Sequence, residues 1–300
     1  MKKHLNISLL SLATVSVLLL SGCGSNSSSD NNPIGHFVGN PHEVADTVIA
    51  EQRKILADSI VGKDVGAQSP RNINSLLGYN TKKTTTAPVS TKMNLCNIHF
   101  HKSAEHKGGE FTLYAGNGNG EGYGGGYKYS GTLTESELTK VEIADDHNPL
   151  YSGDTIEVHY VYTSDDVTPG EGLGACLSKD RAVGTQPLLR VETQVYVLVN
   201  DDKALDFTKL TAVTQANGFY QAPNIPSNTG TAVHYEGSTT GPDYNEKVST
   251  LQVTWNVRPN IAKVNISTVD TWFHHNDFAE HHAHAVRNLV VNPELLSEIK

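Results

Sequence analysis

The chain has 300 residues, with 32 Asp and Glu against 23 Lys and Arg and a formal net charge of −9. An acidic chain with no basic patch and no nucleic-acid motif argues against nucleic acid as a partner. Beyond its N-terminal segment the chain is long enough for one large β domain.

Lys2, Lys3 and His4 form a short basic start, and an apolar run extends from Ile7 to Leu20. The run is too short for a spanning helix and fits a secretory signal. It ends in Leu20-Ser21-Gly22-Cys23, a lipobox, which implies cleavage before Cys23 and lipidation of its thiol. Residues 1–22 are therefore expected to be a lipoprotein signal peptide. Residues 23–35 are expected to be the lipidated cysteine and a flexible linker, because the Gly/Ser/Asn/Asp tract from Gly24 to Asn32 cannot bury apolar surface. Acyl chains on Cys23 would anchor the protein stably. The expected location is extracytoplasmic (bacterial periplasm, outer membrane or cell surface), with the lipid as the membrane contact. Residues 36–300 are expected to form a single domain.

Residues 41–61 have helical character, with Val44, Val48, Ile49 and Ile55 at roughly helical spacing and Pro41 placed to open the segment. After about Met93 the texture becomes β. Strand-like stretches run from Cys96 to Lys102, Thr155 to Thr163, Arg190 to Asn200, Thr231 to Tyr235, Ser249 to Val257 and Ala262 to Ser267, separated by Gly/Asn/Pro/Asp clusters. Gly116 to Gly126 lacks the context of a phosphate loop and reads as a permissive surface loop. The expected fold is mainly β (α+β): a large central, mostly antiparallel sheet with short peripheral helices. With Cys23 lipidated, Cys96 and Cys176 remain, and in an oxidising compartment they are expected to form a disulfide. On a regular strand, Cys96 would face away from the nearby histidines, His99 and His101.

The chemistry concentrates in Asn97-Ile98-His99-Phe100-His101. Residues i and i+2 of a strand share a face, so His99 and His101 project side by side and can share one ion. A second strand pattern, Ile156-Glu157-Val158-His159-Tyr160-Val161-Tyr162, puts Glu157, His159 and Val161 on one face. If the two strands pair, three imidazoles surround one point. Three neutral His ligands with an open fourth position are the zinc (Zn2+) arrangement that activates water. Asn97 and Glu157 each lie two residues before a ligand and on its face. Both can accept the remaining ring N–H and so fix tautomer and orientation.

His99-Phe100-His101, then Glu105-His106, then Glu157-x-His159-x-Val161 resembles the active site of the alpha-type carbonic anhydrases. Gln68-Ser69-Pro70-Arg71-Asn72-Ile73 resembles that family's early Gln-Ser-Pro segment. Tyr235-Glu236-Gly237-Ser238-Thr239-Thr240-Gly241-Pro242, followed by Val253-Thr254-Trp255, resembles its Gly-Ser-x-Thr-Thr-Pro loop and the strand behind it. The stretch from Asn94 to Phe111, and His282-Ala283-His284-Ala285-Val286-Arg287-Asn288-Leu289, are most similar to the delta class. Two features depart from the alpha pattern: the longer spacing from Thr239 to Trp255, and Ser238 in place of an apolar residue.

The resemblance implies a carbonic-anhydrase-like catalytic domain that hydrates carbon dioxide reversibly to bicarbonate and a proton, through attack by hydroxide held on zinc. It also implies that Thr239 accepts a hydrogen bond from that hydroxide and donates its own to Glu105. Val161 and Trp255 are candidates for the apolar pocket that carbon dioxide requires. His106 is expected to play a structural hydrogen-bonding role. His147, His234 and His106 are candidates to carry the proton to solvent. The C-terminal group His274-His275 and His281-His282-x-His284 reads as a segment packed on the sheet edge, with one or two histidines bonded in the core. Two other functions compete: a non-catalytic lipoprotein that scavenges zinc through those histidines, and a zinc esterase. The absence of His-Glu-x-x-His argues against the common peptidase type. No residue pattern specifies an oligomeric state.

Overall fold

A computed structural model describes residues 43–59, 63, 65–75, 77–82, 84–146, 148–182, 184–238, 251–286 and 291–299. The expected signal segment, Cys23 and its linker, Thr239 and His147 lie outside these residues. Helix α1 is Asp46–Ser59, with Asp46 favourably placed in the first turn. It buries Ile49 and Leu56, while Val48 and Ile55 are exposed. The apolar seam is thus narrower than the one expected from spacing.

The strands are β1 (Asn94–Lys102), β2 (Leu113–Tyr114), β3 (Tyr127–Lys128), β4 (Glu142–Ile143), β5 (Leu150–Tyr151), β6 (Thr155–Thr163), β7 (Leu189–Val199), β8 (Thr214–Ala216), β9 (Phe219–Gln221), β10 (Val233–Ser238) and β11 (Gln252–Asn265). Helices α2 (Phe207–Leu210) and α3 (Ile266–His274) complete the regular elements used below. The central sheet has the order β1-β6-β7-β11-β10, and β2-β3, β4-β5 and β8-β9 form small separate ribbons. Within the central sheet β7 and β11 pair in parallel, and the other neighbours pair antiparallel. The architecture is the mainly β, mostly antiparallel sheet with short helices that the sequence pattern implies.

Both faces of this sheet are covered, and every residue of β6 is buried. On one face Ile98, Phe100, Val158, Tyr160 and Leu198 pack under α2 and α3. Phe100 meets Phe207 and Phe273 with ring centroids 5.6 and 5.3 Å apart. On the other face Val161, Val191, Val195, Trp255 and Phe111 form a second apolar cluster. The histidine side chains emerge on that second face.

Three expectations need correction. The two separate strands expected within residues 249–267 form one continuous strand, β11. Its register against β7 slips between Val257 and Ile261, where Pro259 has no N–H to give and an irregularity accommodates it. Residues after Asn265 form a helix: the Asn265 side chain accepts from the Ser267 N–H at 3.0 Å and caps α3. Cys96 does not face away from the histidines. The β1–β6 register shifts between Leu95 and Asn97, and this bulge turns Cys96 into the same cluster as Val161 and Trp255.

Cys96 is bonded to Cys176 across a separation of 80 residues, with Cα atoms 5.0 Å apart. The link ties the loop holding the short turn Leu173–Cys176 to the strand carrying His99. Closing so long a loop restricts the unfolded chain. Replacing both cysteines by alanine is therefore expected to lower the unfolding free energy by about 2–4 kcal/mol. Guanidinium titration of the double variant checks this, and an unchanged midpoint and slope would refute it.

Candidate metal centre

The antiparallel register sets His99 directly opposite His159, and His101 opposite Glu157. Alternation then delivers His99, His101 and His159 to one face, with one nitrogen from each ring inside a cluster no wider than 4.8 Å. Their ring centroids are 4.9–5.4 Å apart. His101 and His159 are buried and His99 is half-buried.

The outer nitrogen of each ring faces an acceptor. His99 Nδ1 lies 2.6 Å from Asn97 Oδ1, and the Asn97 amide donates at 3.1 Å to the Gly170 carbonyl, which fixes which end of the amide faces the ring. His101 Nδ1 lies 2.8 Å from the Ala285 carbonyl. His159 Nε2 lies 2.8 Å from Glu157 Oε1. Each acceptor holds the ring proton on that side and leaves the lone pair on the inner nitrogen. The inner nitrogens are His99 Nε2, His101 Nε2 and His159 Nδ1, and the first and last are 3.3 Å apart. His101 Nε2 is buried without a hydrogen-bond partner. An orphaned buried nitrogen of this kind calls for an unseen partner, and a divalent cation shared by three neutral imidazoles meets that need. The donor set therefore fits zinc.

Electrostatics favour neutral rings at His99 and His101. Burial, aided by the neighbouring His159 and His101, pushes His99 well below the usual histidine range. Burial likewise takes His101 from 6.5 to about 4, against the opposing pull of Glu105. The Glu157 carboxyl is held well below its usual range although burial acts to raise it, because His106 and His159 both press on it. Glu157 receives the His106 backbone N–H at 3.0 Å and lies 2.7 Å from its Nδ1. On the far side His106 Nε2 meets the Tyr235 hydroxyl at 2.5 Å. Glu105, Glu157 and His159 also lie within one small radius. Glu157 is already committed to two imidazoles there, so that group is a hydrogen-bond hub rather than a second cation cage.

Glu105 is buried on this side of the sheet, with its Oε1 3.9 Å from His101 Nδ1. Arg71 donates to the Glu105 main-chain carbonyl. Burial would raise the Glu105 carboxyl, but His101, His159 and Arg71 bring it below its usual range. Val161 and Trp255 flank Val191 in register, which makes a contiguous apolar wall. The Trp255 ring lies 5.1 Å from that of His159. Ser69, in the early Gln-Ser-Pro segment, reaches the end of β10: its N–H donates to Ser238 Oγ at 3.2 Å.

Of the shuttle candidates, His106 is sealed between Glu157 and Tyr235. His234 contacts Asn256, on the opposite side of β10 from the buried Tyr235. The C-terminal segment does run along the sheet edge: the His284 N–H donates to the Phe100 carbonyl at 2.8 Å, and the Lys102 N–H to the His284 carbonyl at 3.2 Å. The His284 ring approaches His99 at 5.3 Å between centroids, but its Nε2 is taken by Glu280 at 2.6 Å. Among the described residues no fourth side chain joins the three inner nitrogens. His274 and His275 are exposed at the end of α3.

Sequence reasoning missed Val191, Tyr235 as the partner of His106, and the Ala285 carbonyl. Val191 needs the strand register to be recognised. Tyr235 sat within the quoted loop motif without a role. A main-chain carbonyl has no sequence signature.

A family model described as Delta carbonic anhydrase matches residues 90–268. Among solved structures, the chain is similar to the alpha-carbonic anhydrase from Thermovibrio ammonificans in complex with the inhibitor sulfanilamide, at 13% identity and a TM-score of 0.31, covering 82% of this chain and 90% of that one. It is similar to the Photobacterium profundum alpha-carbonic anhydrase at 15% identity and a TM-score of 0.27, over 76% and 88% of the two chains. It is also similar to a halotolerant carbonic anhydrase from Dunaliella salina at 15% identity and a TM-score of 0.31, over 78% and 86%. No curated protein matches the chain.

The depressed histidines predict a pH response of the metal-stripped protein. Unfolding restores them to about 6.5, so the unfolded chain takes up protons first as pH falls. Stability is full above about pH 6.5 and declines as pH drops towards the folded value of about 4 for His101. Urea midpoints compared at about pH 7 and 5, above the carboxylate range, should fall, and equal midpoints would contradict neutral buried rings.

Proposed function

Because this chain belongs to the delta carbonic anhydrase family, we propose that it hydrates carbon dioxide reversibly to bicarbonate and a proton at a zinc ion held by His99, His101 and His159. The observation that carries the reading is the convergence of three ring nitrogens whose opposite nitrogens are each tied to an acceptor. When bound, zinc supplies Lewis acidity that brings the ionisation of water down to about pH 7.

The protein's own residues do the rest. Asn97, Glu157 and the Ala285 carbonyl hold the three rings in the tautomer and orientation that present a lone pair. His106 and Tyr235 hold Glu157 in turn. Val161, Val191 and Trp255 supply an apolar wall beside His159, suited to a substrate without a strong polar handle. Glu105 is the buried carboxylate that would accept a hydrogen bond from Thr239, so that Thr239 presents its oxygen as an acceptor and orients the attacking oxygen. The extracytoplasmic location and lipidation of Cys23 belong to the same proposal. The Cys96–Cys176 disulfide supports an oxidising compartment.

Purified protein is expected to bind one zinc per chain and to hydrate carbon dioxide in a pH-indicator assay. His159→Ala should reduce hydration to the level of the metal-stripped protein. Glu157→Gln should weaken zinc binding about 10–100-fold while the fold persists. Equal hydration by wild type and His159→Ala would sink the proposal. Several zinc ions per chain, lost when His281, His282 and His284 are replaced, would favour the scavenging function instead.

A further inference from the structure

Outside the metal centre, α1 lies against the glycine-rich stretch 116–126. The two are stitched together: the Val44 N–H donates to the Gly118 carbonyl at 2.8 Å, and Gln52 Nε2 donates to the Gly120 carbonyl at 2.8 Å. The helix face carrying Ile49, Gln52 and Arg53 does not close on the loop. It leaves a cavity of about 60 Å³ that these residues line together with Arg71, Tyr114 and Tyr127. Glycines make the opposite wall, among them Gly116, Gly120, Gly122 and Gly126, all with positive φ.

The chain carries a net −9, yet among the described residues the lining holds two guanidinium groups and no carboxylate. Two acids stand at its rim and are bonded to the lining residue Asn117: Glu43 accepts from the Asn117 N–H at 2.7 Å, and Asp46 from the Asn117 amide at 2.8 Å. The Tyr114 hydroxyl donates to Asn117 Oδ1 at 2.5 Å, which braces the same corner. Exposed Arg53 stands on the helix side, and half-buried Arg71 opposite it is fixed by its bond to the Glu105 carbonyl. A guanidinium presents five N–H donors in a planar fork suited to oxyanions. The volume would hold a few waters or one small polyatomic ion.

We propose that this cavity is a second, non-catalytic binding site for a small oxyanion, gripped between Arg53 and Arg71. The site adjoins the metal centre through two main-chain links. Arg71 holds the main chain of Glu105. Val286, which lines the cavity, is the next residue after Ala285, whose carbonyl holds His101. Bicarbonate, the product under the function proposed above, and inorganic phosphate share the recognised chemistry, and the two are separated by test.

The test monitors backbone amide shifts of zinc-loaded, nitrogen-15-labelled protein titrated with bicarbonate or with inorganic phosphate, at ionic strength held constant with chloride. The amides of Gly116, Gly120, Gly122 and Gly126 are expected to shift saturably. Arg53→Gln should raise the half-saturating concentration about tenfold, the loss of one charge-assisted contact. Arg53→Lys, which keeps the charge but not the fork, should fall between. Saturation by one anion and not the other identifies the ligand. Three results would overturn the site: shifts confined to residues around His99, His101 and His159, glycine shifts that never saturate, or identical curves for wild type and Arg53→Gln. Because the Arg53 comparison isolates the cavity, failure here leaves the zinc assignment untouched, and failure of zinc binding leaves the cavity standing.

Discussion

The pairing of β1 with β6 in one register, with His99 opposite His159, is the constraint on which the candidate metal centre depends. A slip of a single residue would carry an entire strand's side chains to the opposite face, and the triad would be dispersed into the aromatic core. Here the register is held from both faces. Ile98 and Phe100 are committed beneath α2 and α3, where Phe100 packs against Phe207, Trp272 and Phe273. On the histidine face, the bulge at Cys96 and its bond to Cys176 pin the strand just before its first imidazole. A slipped register would have to break that aromatic contact set and strain the disulfide together.

Burial makes the site a demanding one. Glu157 is fully buried, and so are His106 and Tyr235 around it. Any one of them left unpaired in a low-dielectric interior would cost more than the bond it makes. The chain answers with a closed line running from Tyr235 through His106 and Glu157 to His159. Each member of that line has a partner, and the line ends at the ring whose other nitrogen faces the proposed metal position. Among the ring nitrogens of the triad, the deficit falls at His101 Nε2, on the side where a cation would sit. With the ring protons held on the outer nitrogens, all three inner lone pairs are left open, and they converge on the proposed metal position.

Legibility of the site in the sequence tracked the range of the interactions. His99 and His101 share a face by period two, and Asn97 and Glu157 share it with the ligands they orient, so short-range alternation was enough for these. Bringing His159 beside His99 required a pairing that alternation cannot specify, and there the family resemblance carried the expectation. The Ala285 carbonyl lies 184 residues from the ring it holds, and a peptide group looks the same everywhere in a sequence. Cys96 was misplaced because a bulge breaks the parity on which strand reasoning rests. β11 was divided in two because Pro259 usually ends a strand, whereas here the register slips around it. α3 was missed because its few helical residues come directly after a strand, and its buried face (Val269, Trp272, Phe273) also satisfies a β-rich texture.

β1 is an edge strand of the central sheet, and an edge leaves unpaired main-chain groups that invite foreign pairing. The C-terminal segment answers this by laying His284 alongside His101 as an isolated bridge and occupying the Phe100 carbonyl and the Lys102 N–H. One short contact therefore does two things: it covers the edge, and it delivers the Ala285 carbonyl to His101. Placing the histidines on the edge strand keeps one side of the site near the surface, as the half-buried His99 shows, while the disulfide and the C-terminal strap supply the rigidity that an interior strand would take from its second neighbour. The segment that completes the candidate metal centre is thus also the one that covers the strand edge, so loosening it would expose that edge and free the His101 ring in a single event.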